Sequence, residues 1–218
     1  MSMEQCIQWI QSSQRKHPGY TAGMTPDRPY HHGNLRQAVL EHATPVVRDR
    51  GASELSLREL AAAIGVSHAA VRRHFPDRRQ LHDALAVEGF ALLGARLRDA
   101  VESAPDYRAQ ILSIARAYLD FVTSEANLAE LMFAHKHGAG GDAVSAAAEA
   151  AFAPMLLVFQ RGLADDLPDT SPERTALIFL ATLQGLAGLV NCGMVTAGQL
   201  GGLIEEAVGQ FPQGRDGR

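Results

Sequence analysis

Only two of the 218 residues are cysteine, Cys6 and Cys192. Two cysteines cannot build a disulfide framework, and these lack the spacing of a metal site, so a reducing, cytoplasmic setting fits. No basic region, apolar stretch and cleavage site open the chain in the manner of a secretory leader. β-branched residues are scarce and no stretch alternates with period two, which leaves little for strands to use. Nucleophile elbows, phosphate loops, zincin motifs and dinucleotide fingerprints are all missing, and Ser, His and Asp occur without a recognisable spacing. The pattern therefore points away from an enzyme and names no cofactor. What the chain does have is 46% hydrophobic residues, enough to bury a sizeable core.

The net charge of −4 is unevenly spread. Residues 28–81 hold nine Arg against five Asp or Glu, a balance of +4. Residues 82–218 hold nine Lys or Arg against seventeen acids, a balance of −8, and residues 1–27 sum to zero. A small basic module is thus joined to a larger acidic one, which suggests that the first meets an anionic partner.

Residues 1–29 read as a tail, with a short helix over 3–14 and a Pro/Gly-containing linker after it; Met24 is a second candidate start. Helical spacing begins at Asn34, a candidate N-cap. Leu35, Ala38, Val39, Ala43, Val46 and Val47 form the apolar set of a helix ending before Gly51. Pro45 inside it calls for a kink or for a helix held tightly by its neighbours. Ser56 and Glu59 have the spacing of a capping box for a second helix, which buries Leu57, Leu60, Ala61 and Ile64. Gly65 supplies a sharp exit, and Ser67 caps a third helix two residues later.

Helix, tight glycine turn, helix is the layout of a DNA-reading helix-turn-helix. On a wheel with His68 at zero, Ala70, Val71 and His74 fall at about 200°, 300° and 240°, an inward face. His68, Arg72, Ala69 and Arg73 fall opposite, at about 0°, 40°, 100° and 140°. Arginines and a histidine around a small alanine suit close approach to a major groove, with donors for guanine edges and phosphates.

The runs Tyr30-His31-His32-Gly33-Asn34-Leu35-Arg36, Leu55-Ser56-Leu57-Arg58-Glu59-Leu60-Ala61, Gly65-Val66-Ser67 and Arg73-His74-Phe75-Pro76-Asp77 occur in order. Over about fifty residues, 30–81, this resembles the opening of tetracycline-repressor-like (TetR) regulators. The resemblance implies that Ser56 and Arg58 sit near phosphates, that Ser67, His68 and Arg73 face the groove, and that Arg78 touches phosphate from the start of helix four. Arg72 stands where the family usually has a tyrosine. With His74 at the end of the reading helix, the candidate DNA set is Ser56, Arg58, Ser67, His68, Arg72, Arg73, His74 and Arg78. The resemblance also implies an all-α fold, a homodimer on palindromic double-stranded DNA, a small-molecule effector and, by default, repression. The domain boundaries are then 30–78 for the DNA-binding domain and 79–212 for the regulatory and dimerisation domain.

In the acidic half, helices are expected over 79–102, 107–124, 126–137, 142–164, 172–196 and 199–210. Ala115-Arg116-Ala117-Tyr118-Leu119-Asp120-Phe121 and Leu131-Met132-Phe133 resemble a common C-terminal type of the same family, with Gln184-Gly185 where a histidine-glycine pair is usual. Tyr118, Phe121, Met132, Phe133, Phe152, Met155 and Phe159, with Gln184 and Asn191, are the candidate effector-binding residues. Residues 175–196 carry no charge over 22 positions. Gln184, Asn191, three glycines and the lack of a flanking basic cluster favour a dimer core there over a membrane span. Gly185 and Gly188 allow close helix approach. Two other readings stay open: a metal-dependent helical enzyme using His135, His137 and Asp142, and a helical interaction module without DNA readout.

Overall fold

The computed structural model describes residues 35–135, 142–163 and 171–212. The tail over 1–29, the Asn34 cap, the Tyr30–Asn34 part of the first motif and the glycine-rich loop with His137 lie outside these residues.

Among the described residues there are nine α-helices and no strand. They are α1 (Leu35–Arg50), α2 (Leu57–Ile64), α3 (His68–His74), α4 (Arg78–Glu102), α5 (Tyr107–Ser124), α6 (Ala126–His135), α7 (Asp142–Leu163), α8 (Pro172–Asn191) and α9 (Ala197–Gly209). A short 3-10 turn, Ala52–Glu54, lies between α1 and α2. The all-α expectation holds.

Short polar side chains start most helices by accepting an otherwise unpaired backbone N–H. Ser56 takes that of Glu59 at 3.3 Å, Ser67 that of Ala70 at 3.2 Å, Asp77 that of Gln80 at 2.9 Å and Asp106 that of Ala109 at 2.7 Å. At Ser56 only this forward half of the expected box forms; among the described residues the Glu59 carboxylate makes no bond back. Because Asp77 is the cap, α4 begins at Arg78, one residue before the expected start.

Pro45 does not interrupt α1, which runs on to Arg50. Buried Ala43 and Val47 flank the proline and hold the helix on its neighbours. Leu40, fully buried, belongs to this face as well and was not in the expected set. The expected penultimate helix of 172–196 is cut short. It ends at Asn191, because Gly193 turns into left-handed backbone at φ 74°. Thr196 then lies ahead of α9, which starts at Ala197.

One hydrophobic core runs from Val39 in α1 to Phe211 after α9. Helix α4 is its centre. Leu81, Leu85, Phe90, Leu93 and Leu97 are all buried, and α5, α6 and α7 pack around it. The approach to α7 is so close that a Cβ on Gly94 would come within 2.9 Å of the Ala151 Cα.

Helices α7 and α8 are both long and apolar enough to span a bilayer, with mean hydropathies of 1.5 and 1.2 over their best windows. Only 33% and 28% of those windows is buried within one chain. Leu157, Leu177, Ile178, Leu189 and Met194 remain exposed along and just after them. A chain this apolar on its outer face leaves surface for a partner to cover.

Candidate nucleic-acid interface

The reading helix α3 is fixed at both ends. Gly65, with φ 78°, turns the chain out of α2; its N–H bonds the Ala62 carbonyl at 3.2 Å and that of Val66 bonds Ala61 at 2.9 Å. A left-handed turn of this kind strongly favours glycine. Ser67 caps the first turn of α3. Val71, fully buried, and Phe75, 1% exposed, anchor the helix to the core. Arg36 of α1 lies over the Phe75 ring, 5.4 Å from its centroid.

The opposite face is open. His68, Ala69, Arg72, Arg73 and His74 are exposed, and Ala70 is half-buried. His74, expected on the inward face, is exposed. Helix α3 ends at His74 and the backbone changes direction at Phe75, so the core position falls to Phe75. His74 is free to join the exposed set.

The arginines differ from one another. Arg73 and Arg58 are exposed and, among the described residues, have no intramolecular partner. Arg72 turns its fork onto its own exit loop: Nε and Nη2 donate to the Pro76 carbonyl at 3.2 and 3.1 Å. Arg78 donates from Nη2 to the Ala52 carbonyl and from Nε to His82 Nε2, tying the start of α4 to the 3-10 turn. Ser56 and Ser67 use their oxygens to cap helices, so each hydroxyl proton is still available to donate, as a phosphate oxygen would require.

A latch joins this region to the acidic half, and sequence reasoning missed it. Arg48 Nε pairs with Glu125 Oε2 at 2.8 Å, and Asn127 Nδ2 donates to the Arg48 carbonyl at 2.8 Å. The contact spans 79 residues of chain in the Asn127 bond, and no local pattern signals it. Beside it lies a cleft of about 180 Å³ lined by Thr44, Arg48, Leu85, Glu88, Gly89 and Leu128, among others. A second cleft, of about 140 Å³, lies between α1 and α2 along His42, Val46, Arg50 and Ser56.

The candidate effector residues fall into two aromatic groups. Tyr118 packs on Phe152 at 6.3 Å, and Phe90, which was not in the expected set, meets Phe152 at 6.4 Å and Phe133 at 5.8 Å. Met132 lies against Gly89 of α4, and Phe121 carries Arg96 over its ring at 5.2 Å. Phe159 belongs to the other group, with Tyr107, Phe179 and Phe211 at 6.3, 5.3 and 6.5 Å. Met155 is buried on α7, between Phe152 and Phe159 in the chain. Gln184 is half-buried and Asn191 is exposed at the end of α8, so Asn191 lies on the surface.

Residues 39–85 match the model of bacterial regulatory proteins of the tetR family, and residues 111–209 match that of the tetracyclin repressor-like C-terminal domain. Together the two matches cover more than half of the chain.

The chain belongs to the tetR family of bacterial regulatory proteins.

A solved structure of a Rhodococcus sp. RHA1 protein of unknown function is 37% identical, with a TM-score of 0.76, and the match covers 85% of this chain and 97% of that one. AibR, solved with isovaleryl coenzyme A and operator DNA, shares the fold at 21% identity and a TM-score of 0.57, over 81% of this chain and 98% of its own. The nucleoid occlusion factor SlmA of Pasteurella multocida (strain Pm70) is 29% identical over 101 residues, 46% of this chain. That match spans about half of the SlmA chain, 51%. As a tetR-family member the chain is a DNA-binding transcriptional regulator, and the family match over 39–85 coincides with α1–α3 and the start of α4. Arg72, where the family usually has a tyrosine, keeps a donor but directs its fork to Pro76 in the free protein.

Proposed function

We propose that this tetR-family regulator is a cytoplasmic homodimeric repressor that reads a palindromic operator with α3 and releases it when a small molecule enters the helices around α4. The observation that carries the reading is the exposed face of α3. It is anchored behind by Val71 and Phe75, and it presents His68, Ala69, Arg73 and His74, with no intramolecular partner for Arg73 among the described residues. A free guanidinium beside an alanine can approach a base edge closely and donate two bonds to guanine. Arg58, Ser56 and Ser67 offer donors for phosphates, and Arg78 joins them on leaving the Ala52 carbonyl. Arg72 is a phosphate contact of the second rank, since it must first leave Pro76.

One short helix specifies few base pairs, and two copies reading half-sites about 34 Å apart, or a multiple of that, specify a palindrome. The second copy is assigned to the outer face of α7 and α8. That face is apolar, and Gly185 and Gly188 have nothing within 4 Å of where a Cβ would be, so a helix can come close there. This occupant also accounts for the hydropathy of α7 and α8 without a membrane. A ligand changes operator affinity only through unequal affinity for two arrangements of the protein. Helix α4 is the natural lever, because it begins beside the reading helix at Arg78 and carries Phe90 among the aromatic rings.

The test is selection of bound duplexes from a random DNA library, followed by affinity measurements on the recovered site. The expected result is a two-fold symmetric site whose affinity falls steeply with salt as counterions are released. Arg73→Ala should lose about 1–3 kcal/mol and relax preference at one position in each half-site. No enrichment above random DNA, or unaltered affinity and preference in Arg73→Ala, would sink the reading.

A further inference from the structure

Buried hydroxyls nearly always have a hydrogen-bond partner, and each exception calls for an explanation. Among the described residues, two tyrosine hydroxyls are buried without one, those of Tyr107 and Tyr118. Their surroundings differ. The Tyr107 ring lies edge-on to Phe159 and against the backbone at Gly162, where a Cβ would come within 2.1 Å of it, so on that side its wall is main chain and cannot give. The Tyr118 ring packs on a side chain, the Phe152 ring. Tyr118 is 1% exposed, whereas Phe152 and Phe133, which complete its aromatic group through Phe90, are only partly buried.

Helices α4 and α7 pack closely here, with the Gly94 backbone against Ala151. Phe152 and Phe133 are the partly exposed rings of the group, so a ligand reaching Tyr118 would have to displace them. Burial, with no charged neighbour to offset it, pushes the Tyr118 phenol well above its ordinary pKa, so it keeps its proton. A charged ligand would lose hydration among phenylalanine rings. Arg96 is stacked over the Phe121 ring.

We propose that the Tyr118 hydroxyl is the polar anchor of a ligand site walled by Phe90, Phe133 and Phe152, and that the site takes an uncharged ring compound bearing one hydrogen-bond acceptor, such as a ketone. The geometry of the site stands by itself, and only its regulatory consequence rests on the regulator reading above.

The test uses the full-length protein and two probes of nearly the same shape: acetophenone, and α-methylstyrene, in which CH2 replaces the carbonyl oxygen. Tyr118→Phe should weaken acetophenone about tenfold, the worth of one good hydrogen bond, and leave α-methylstyrene unchanged. A second measurement needs no variant: the carbonyl of 13C-labelled acetophenone should shift downfield on binding to the wild-type protein. Equal losses for both probes, no loss for acetophenone, an unmoved carbonyl signal, or no binding of either probe up to its solubility limit would each overturn the site. Operator affinity is measured in parallel without probe. Intact operator binding alongside failed probe discrimination removes this site alone, whereas probe discrimination in a protein that selects no DNA keeps the site and removes the regulator reading.

Discussion

Replacing Gly188 by alanine separates a dimer face from an ordinary solvated helix by the sign of the stability change. Gly188 is exposed in α8, its φ is not positive, and an added Cβ meets nothing within 4 Å in the single chain. If that face is solvated, alanine removes the entropic cost of glycine in a helix and stabilises by about 1 kcal/mol. If a second copy packs on the glycine, the same methyl group overpacks the contact. Overpacking costs about 1–3 kcal/mol at each site, and a two-fold dimer carries the site twice. The net effect is then about 0–2 kcal/mol of destabilisation per protomer once the helix gain is subtracted. The assay is urea unfolding at several protein concentrations together with sedimentation equilibrium, because the stability of a dimer depends on protomer concentration. Gly94→Ala is the internal control. Its Cβ clashes with Ala151 inside the chain, so its effect should not alter the dimer dissociation constant. A Gly188→Ala protein about 1 kcal/mol more stable, with an unchanged dissociation constant, would refute the dimer face.

Further outcomes follow from the same geometry. Gly65→Ala forces a Cβ into left-handed backbone at φ 78° and should cost about 1–2 kcal/mol, seen as a lower urea midpoint together with weaker operator binding. Arg72→Ala should weaken all DNA sequences about equally and reduce the salt slope by about one unit, in contrast to the sequence-dependent loss in Arg73→Ala. Burial pushes the Tyr107 phenol from 10.0 up to about 12. An acid raised in the folded state gives full stability below the unfolded value and loses it as pH rises from 10 towards 12, where the unfolded chain binds fewer protons. Tyr107→Phe should therefore flatten part of the fall in stability measured by unfolding across that alkaline window, and an unchanged profile would count against the burial argument.

Local chemistry was legible in the sequence by itself. The caps at Ser56 and Ser67, the left-handed turn at Gly65 and the exposure of Arg73 depend on residues within a few positions of one another, and backbone sterics and helical periodicity act at that range. The charge split between residues 28–81 and the rest is a property of composition and needs no fold. Errors came where the last residue of an element decides the outcome. His74 was placed inward because the wheel continued a helix that stops there, and 172–196 was read as one helix because an uncharged run does not reveal that Gly193 breaks it. The tertiary structure alone decided the rest. Pairing of Arg48 with Glu125, closure of Arg72 on Pro76, the division of the aromatic residues into two groups and the isolation of the Tyr118 hydroxyl arise from the relative placement of helices and loop ends. Side-chain period reports which face of a helix is apolar, and it carries no information about which distant helix that face will meet.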